Sequence, residues 1–369
     1  MALLPAAGML SLAGFAVSTT GASAVSSNSF TQTNLVANKS SAGASLVDPN
    51  LKNAWGLAAG PSTPIWVSDN NSGKATVYSG GIGGSAVTLD LTVPVKGGNP
   101  TGQVFNPTTS FPVGGTSGSP ADFIISSDSI GSVQSPGEIE AWDGGAKFVV
   151  EDSPTGGAGG MTPAGAVFKG LAISATSKQG PLLYAADVAN ATIDIFNGSF
   201  QPVSNAGKFM DPALPAGYAP FNIQNLGGKL YVTYGLQNKA KTDVKTGAGR
   251  GVVDVYNVNG KLLHHLVSNG PSSPLDAPWG LAIAPSGFGS FAGDLLVGNL
   301  GNGWINAFNP TTGAFIATLD GTGGYPITIP ELWGLMVGNS SFGGSSSLVF
   351  SAGPSNYNNG LLGVLNPSS

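Results

Sequence analysis

Asp69, Asp128, Asp187 and Asn299 each follow a short apolar segment at a similar place in successive stretches of the chain. Gathered at one mouth of a ring, they would offer the carboxylate and amide oxygens that a hard divalent cation such as calcium prefers. Asp69, Asp187 and Asn299 are the set expected to hold such an ion. A cation held this way polarises a carbonyl or activates water, which is the chemistry of a lactone or ester hydrolase. The same residue types are also what Asx turns use for local hydrogen bonding, so turn chemistry stands beside ion binding as an open reading, with no cofactor required. Asp69-x-Asn71-x-Gly73 has the first half of a calcium loop but no distal Glu.

Other chemistries find less to work with. The two histidines, His264 and His265, are neighbours on an expected strand, so they point to opposite faces and take a surface or edge role. Cysteine is absent, which removes disulfides, thiolate catalysis and Cys-based zinc sites. There is no G-x-S-x-G elbow and no phosphate-binding glycine motif between a strand and a helix. What recurs instead is aromatic. Trp55, Trp279 and Trp333, with Tyr234 and Tyr357 after other strands, could form a rim for sugars or other planar-faced ligands, or else pack between sheets. Lys169 replaces the aromatic in one copy, either as an ion-pair partner, with Glu331 available, or as a lone cation attracting an anion. Asn222 stands where other copies have glycine.

The elements that must position these residues are repeats. Trp55-Gly56-Leu57-Ala58 returns as Trp279-Gly280-Leu281-Ala282, nearly as Trp333-Gly334-Leu335-Met336, and without the aromatic as Lys169-Gly170-Leu171-Ala172. Each copy precedes a second apolar segment and a turn rich in Gly, Asn or Ser. Thr101-Gly102 and Phe221-Asn222 open two further units, which makes six. Four short strands per unit, alternating at period two, spell a propeller blade. The spacing predicts an all-β, six-bladed β-propeller. Its last blade lacks an outer strand before Ser369, and the segment near residues 30–36 is expected to supply it and close the ring. Glycine after each anchor would let innermost strands approach closely around the axis.

Composition fits this picture. Of 369 residues, 41% are hydrophobic, enough to offset the entropy of ordering, and only 9% are charged against about 25% in typical soluble domains. A surface polar through Ser, Thr, Asn and Gly suits an extracellular protein. The net charge of −5, with no block of Lys or Arg, argues against nucleic acid as a partner. Residues 2–17 form an apolar run followed by Ala22-Ser23-Ala24, which reads as a signal peptide over 1–24 ahead of a single propeller domain over 25–369. No other stretch approaches the ~20 apolar residues of a membrane span.

Asn34-Leu35-Val36, Asp48-Pro49-Asn50-Leu51, Asn53-Ala54-Trp55-Gly56-Leu57-Ala58, Pro220-Phe221-Asn222-Ile223-Gln224, Pro278-Trp279-Gly280-Leu281-Ala282 and Leu296-Val297-Gly298-Asn299 together resemble an exported bacterial family of uncharacterised β-propeller proteins. The resemblance spans nearly the whole mature chain. It implies a secreted propeller related to NHL and lactonase-like repeats, and it brings no established catalytic residues. Propeller lactonases are similar in holding a metal with Asp, Glu and Asn.

The expectation is a secreted or periplasmic propeller that binds an extracellular small molecule, carbohydrate or protein, or serves as a scaffold. One alternative is a metal-dependent hydrolase of lactone or ester type at the central channel. Another is a self-assembling component of an extracellular matrix or filament.

Overall fold

The computed structural model describes residues 1, 29–114, 118–128, 137–145, 147–151 and 165–368, with the backbone alone over 147–151. The expected signal peptide lies outside the described residues. The described residues form six small, mainly antiparallel sheets, each a blade. Their innermost strands are Ala54–Ala58, Pro100–Phe105, Phe168–Ser177, Tyr218–Leu226, Pro278–Ile283 and Leu332–Val337. Within each of the first five blades the chain then steps outward, strand by strand.

The ring closes as the sequence predicts. Ser29–Ala37 lies antiparallel to Leu361–Pro367 in register Phe30 with Pro367 through Ala37 with Leu361, so the first and last strands share the sixth blade. A strand that would otherwise present an open edge is thereby paired. Phe30 stacks in the same core on Phe288 and Phe291 of the fifth blade, at centroid separations of 4.5 and 5.9 Å.

Every innermost strand carries a register irregularity at its anchor, for example between Ala54 and Leu57 and between Pro278 and Gly280. The glycines at these bulges are required by contact. A Cβ on Gly56 would lie 2.2 Å from the Thr101 carbonyl oxygen of the next blade, and one on Gly102 would lie 2.7 Å from Gly170 Cα. One on Gly280 would lie 2.6 Å from the Trp333 carbonyl oxygen. Neighbouring strands crowd together near the axis, where a side chain has no room. Between blades, apolar faces meet in discrete clusters, such as Leu171, Leu183 and Phe196 with Ile124 and Ala141.

Candidate functional site

Strand pairing aligns the six anchors as Trp55, Thr101, Lys169, Phe221, Trp279 and Trp333, each one residue before the crowded position. Five of them converge on the axis from five blades. Trp55 stacks on Trp333 at 3.6 Å, Trp279 meets both edge-on at 6.4 and 6.1 Å, and Phe221 meets Trp333 at 5.9 Å. Lys169 Nζ sits 4.9 Å from the Trp55 ring centroid. The aromatics are buried and pack on one another, closing one end of the channel as a plug. The Trp333 indole N–H donates to Asn53 Oδ1 at 2.9 Å, whereas the indole N–H groups of Trp55 and Trp279 have no hydrogen-bond partner among the described residues.

Beyond the plug the channel opens into a cavity of about 400 Å³, walled by Gly56–Ala59, Gly102–Phe105, Leu171–Ile173, Asn222–Asn225, Trp279 and Gly334–Met336. A wider mouth of about 740 Å³ shares Ala59, Gln224, Asn225 and Met336 with it. Among the described residues, no carboxylate, imidazole or amine lines either space. The polar groups are amides, joined at the wider mouth by Ser340 and Ser345. Gln103 Nε2 donates to the Gly56 and Trp66 carbonyls, Asn222 Nδ2 to the Trp279 carbonyl and Asn225 Nδ2 to the Ile173 carbonyl. These three amides brace the wall, while half-buried Gln224 lines both spaces.

The expected metal set is not gathered there. Asp69 pairs in register with Ala54, Asp187 with Phe168 and Asn299 with Pro278, so the three are structurally equivalent. Each is committed inside or beside its own blade. Asp69 Oδ2 accepts from Thr76 Oγ1 at 2.7 Å. Asp187 accepts from the backbone N–H groups of Val167, Ala189 and Asn190 and from Asn190 Nδ2, which is turn chemistry. Asn299 Nδ2 donates to the Pro274 carbonyl and to Asn302 Oδ1. Burial drives the Asp69 carboxyl well above its ordinary range, and burial likewise raises Asp187 against four hydrogen bonds. Asp194, at the end of Asp187's reach, is raised by burial and then by the Asp187 charge.

Two equivalences differ from the sequence reading. The second-blade residue opposite Pro100 is Ser127, and Asp128 stands one place further on. Asp128 pairs instead with Lys169 at 2.6 Å; Asp243 lies 3.8 Å from the same amine, and Glu331 is not its partner. Burial lowers the affinity of Lys169 for its proton, but Asp128 and then Asp243 outweigh it and raise the pKa. Tyr234 occupies the fourth-blade equivalent of Asp69 and faces away from the channel, into the core between the third and fourth blades.

That core holds a group that sequence reasoning did not assemble. Tyr234 Oη lies 2.9 Å from Tyr256 Oη, and Tyr256 donates to Asp254 Oδ2 at 3.0 Å. His265, opposite Asp254 on the neighbouring strand, places Nδ1 3.0 Å from Asp254 Oδ1 and 2.8 Å from Asp211 Oδ2. Its Nε2 lies 2.9 Å from Ser268 Oγ. Burial, reinforced by Asp211, pushes the Asp254 carboxyl up to about 7 despite the His265 contact. The only local signal was Asp254 interrupting the inward-facing series Val252, Tyr256. Asp211 lies in the connection between the third and fourth blades and gave none.

No family model matches the chain. Two uncharacterised proteins of Acanthamoeba polyphaga mimivirus are each 28% identical to it. One aligns over 339 residues, 90% of this chain and 78% of the relative, and the other over 328 residues, 86% and 81%. The sequence likeness pointed to an exported bacterial family, whereas these relatives are viral. Among solved structures, an α-L-arabinofuranosidase of Fusarium graminearum with an iminosugar inhibitor superposes with a TM-score of 0.54 at 14% identity, covering 92% of this chain and 98% of that one. An α-L-arabinanase of Penicillium chrysogenum complexed with arabinobiose gives 0.53 at 14% identity, covering 90% and 97%. A streptogramin B lyase gives 0.50 at 11% identity, covering 92% and 97%. At these identities the likeness is one of fold, and the chain is a six-bladed β-propeller.

Proposed function

We propose that the chain is a binding protein that takes a neutral, hydrogen-bonding ligand of sugar size in its central cavity. The observation that carries this reading is the lining: amides, serine hydroxyls, backbone and apolar side chains, with no ionisable group among the described residues. The volume falls in the range of small-molecule sites, roughly 300–1,000 Å³. Glycoside hydrolysis needs two carboxyl groups flanking the bond, and metal-assisted hydrolysis needs ligands for the ion. Asp69 and Asp187 are engaged outside the cavity, which favours binding over the lactonase or esterase reading. A scaffold or filament role has no feature of its own in its favour. The low charge supports a place outside the cell. The fold-level likeness to arabinan-acting enzymes does not select the ligand, so the carbohydrate class rests on the cavity itself.

Titration calorimetry with a panel of neutral mono- and oligosaccharides tests the reading. At least one should bind, and Gln224→Glu, which sets a charge in the wall, should weaken it by about tenfold or more with the fold retained, because an uncompensated charge beside a neutral ligand is costly. The reading fails if no neutral sugar binds tighter than about 1 mM. It also fails if Gln224→Glu leaves binding unchanged.

A further inference from the structure

We propose that Asp211, Asp254 and His265 form a binding site for a divalent transition-metal cation at the junction of the third and fourth blades, remote from the cavity and independent of its ligand.

The third strand of each blade repeats one position, two residues beyond the partner of the Asp69-type residue. It holds Thr76, Glu140, Asp194, Asp254 and Asn306 in the first five blades, all of them buried. In the first blade this residue bonds to its blade-mate, as Thr76 does to Asp69. In the fifth, Asn306 Nδ2 reaches the Pro274 carbonyl that Asn299 also uses. The fourth blade breaks the pattern. Tyr234 stands in place of the acid or amide and reaches Tyr256, so Asp254 turns one oxygen toward Asp211 and His265.

Three ligand atoms from three segments then converge within 4.8 Å of one another. Nδ1 carries at most one proton, yet two carboxylate oxygens lie 2.8 and 3.0 Å from it. Asp254 Oδ1 is fully buried and has no well-formed hydrogen bond among the described residues, although Nδ1 lies 3.0 Å away. The Asp211 side chain is 2% exposed, the Asp254 side chain 0% and the His265 ring 22%. Two enclosed carboxylates and a neutral imidazole balance a 2+ ion. Ligands bound at ~2.1 Å and at right angles lie ~3.0 Å apart, so the spacing matches an octahedral edge with the proton replaced by metal.

The outer atoms of each ligand are already held. Asp254 Oδ2 accepts from Tyr256, Asp211 Oδ1 accepts from the Ala213 N–H at 2.9 Å, and Nε2–H would donate to Ser268 Oγ. Such hydrogen bonds fix the tautomer and orientation of metal ligands. The half-exposed side of His265 leaves open positions for water or a small anion. An imidazole in the set favours Zn²⁺, Co²⁺ or Mn²⁺ over Ca²⁺ and Mg²⁺, which take oxygen.

The test uses full-length protein stripped with a chelator, titrated with Zn²⁺ by calorimetry and with Co²⁺ by visible absorption. One equivalent should bind. His265→Gln and Asp254→Asn should each weaken binding by about 100-fold or more, while His264→Ala, on the opposite face, should not change it. If Asp254→Asn does not fold, His265→Gln decides. Absence of binding to the wild type, or unchanged affinity in His265→Gln, overturns the site.

Discussion

The indole of Trp333 lies on the indole of Trp55 at 3.6 Å, joining the last blade to the first at the axis. The contact is reinforced by backbone and hydroxyl. Ser351 Oγ donates to the Trp55 carbonyl and accepts from the Gly334 N–H at 2.9 Å. The ring is therefore shut twice, at its rim by the strand Ser29–Ala37 and at its centre by this stack.

Truncating the stack should be felt throughout the fold. Trp333→Ala removes the ring from Trp55, Trp279 and Phe221 and strands Asn53 Oδ1, so we expect a loss of about 3–5 kcal/mol. Urea unfolding monitored by circular dichroism reads it. A loss below about 1 kcal/mol, the size of an ordinary surface change, would show that the plug is not a core.

The lysine among the aromatics should behave as half of a pair. Asp128→Asn leaves the Lys169 amine, 1% exposed, with only Asp243 at 3.8 Å, and should cost about 3 kcal/mol. Replacing both, as Asp128→Asn with Lys169→Met, puts an apolar chain beside Trp55 and should recover most of that loss. A double variant no more stable than Asp128→Asn alone would contradict this account. The folded pKa of Lys169 is raised, so the pair's contribution is full at neutral pH and is lost as pH climbs past 10.5 and through the folded value.

Asp69 should make stability fall as pH rises. Burial holds its carboxyl above the ordinary 3.8, so between that value and the folded pKa the folded state keeps a proton that the unfolded state has released. The penalty is absent below pH 3.8 and complete above the folded pKa. Asp69→Asn removes this group from the balance, and thermal unfolding followed from pH 4 to pH 8 should decline less steeply than in the wild type. Identical slopes in the two proteins would show that Asp69 ionises in the folded state as readily as in the unfolded one.

Much of the fold was legible because its determinants are local. The glycines at 56, 102, 170, 280 and 334 announced close approach, and each does abut a neighbouring strand. The site was less legible. Asp69, Asp187 and Asn299 were rightly read as equivalent, yet equivalence around a ring is not proximity, and each hydrogen-bonds at its own blade. Asp128 was misplaced by one residue, since Ser127 stands opposite Pro100 as Asp69 stands opposite Ala54. Tyr234 was read as facing the channel, and the pairing of Tyr256 with Asp254 draws it outward instead.

The sequence by itself determined the number of blades, the strand order and the closing strand, since alternation at period two and glycine at crowded turns act over a few residues. Only the tertiary structure decided that the tryptophans seal the axis, that no charged side chain among the described residues lines the cavity beyond them, and that Asp211 meets His265 across 54 residues of chain. Those outcomes depend on which side chains from separate blades fill one volume, and no short stretch of sequence encodes that.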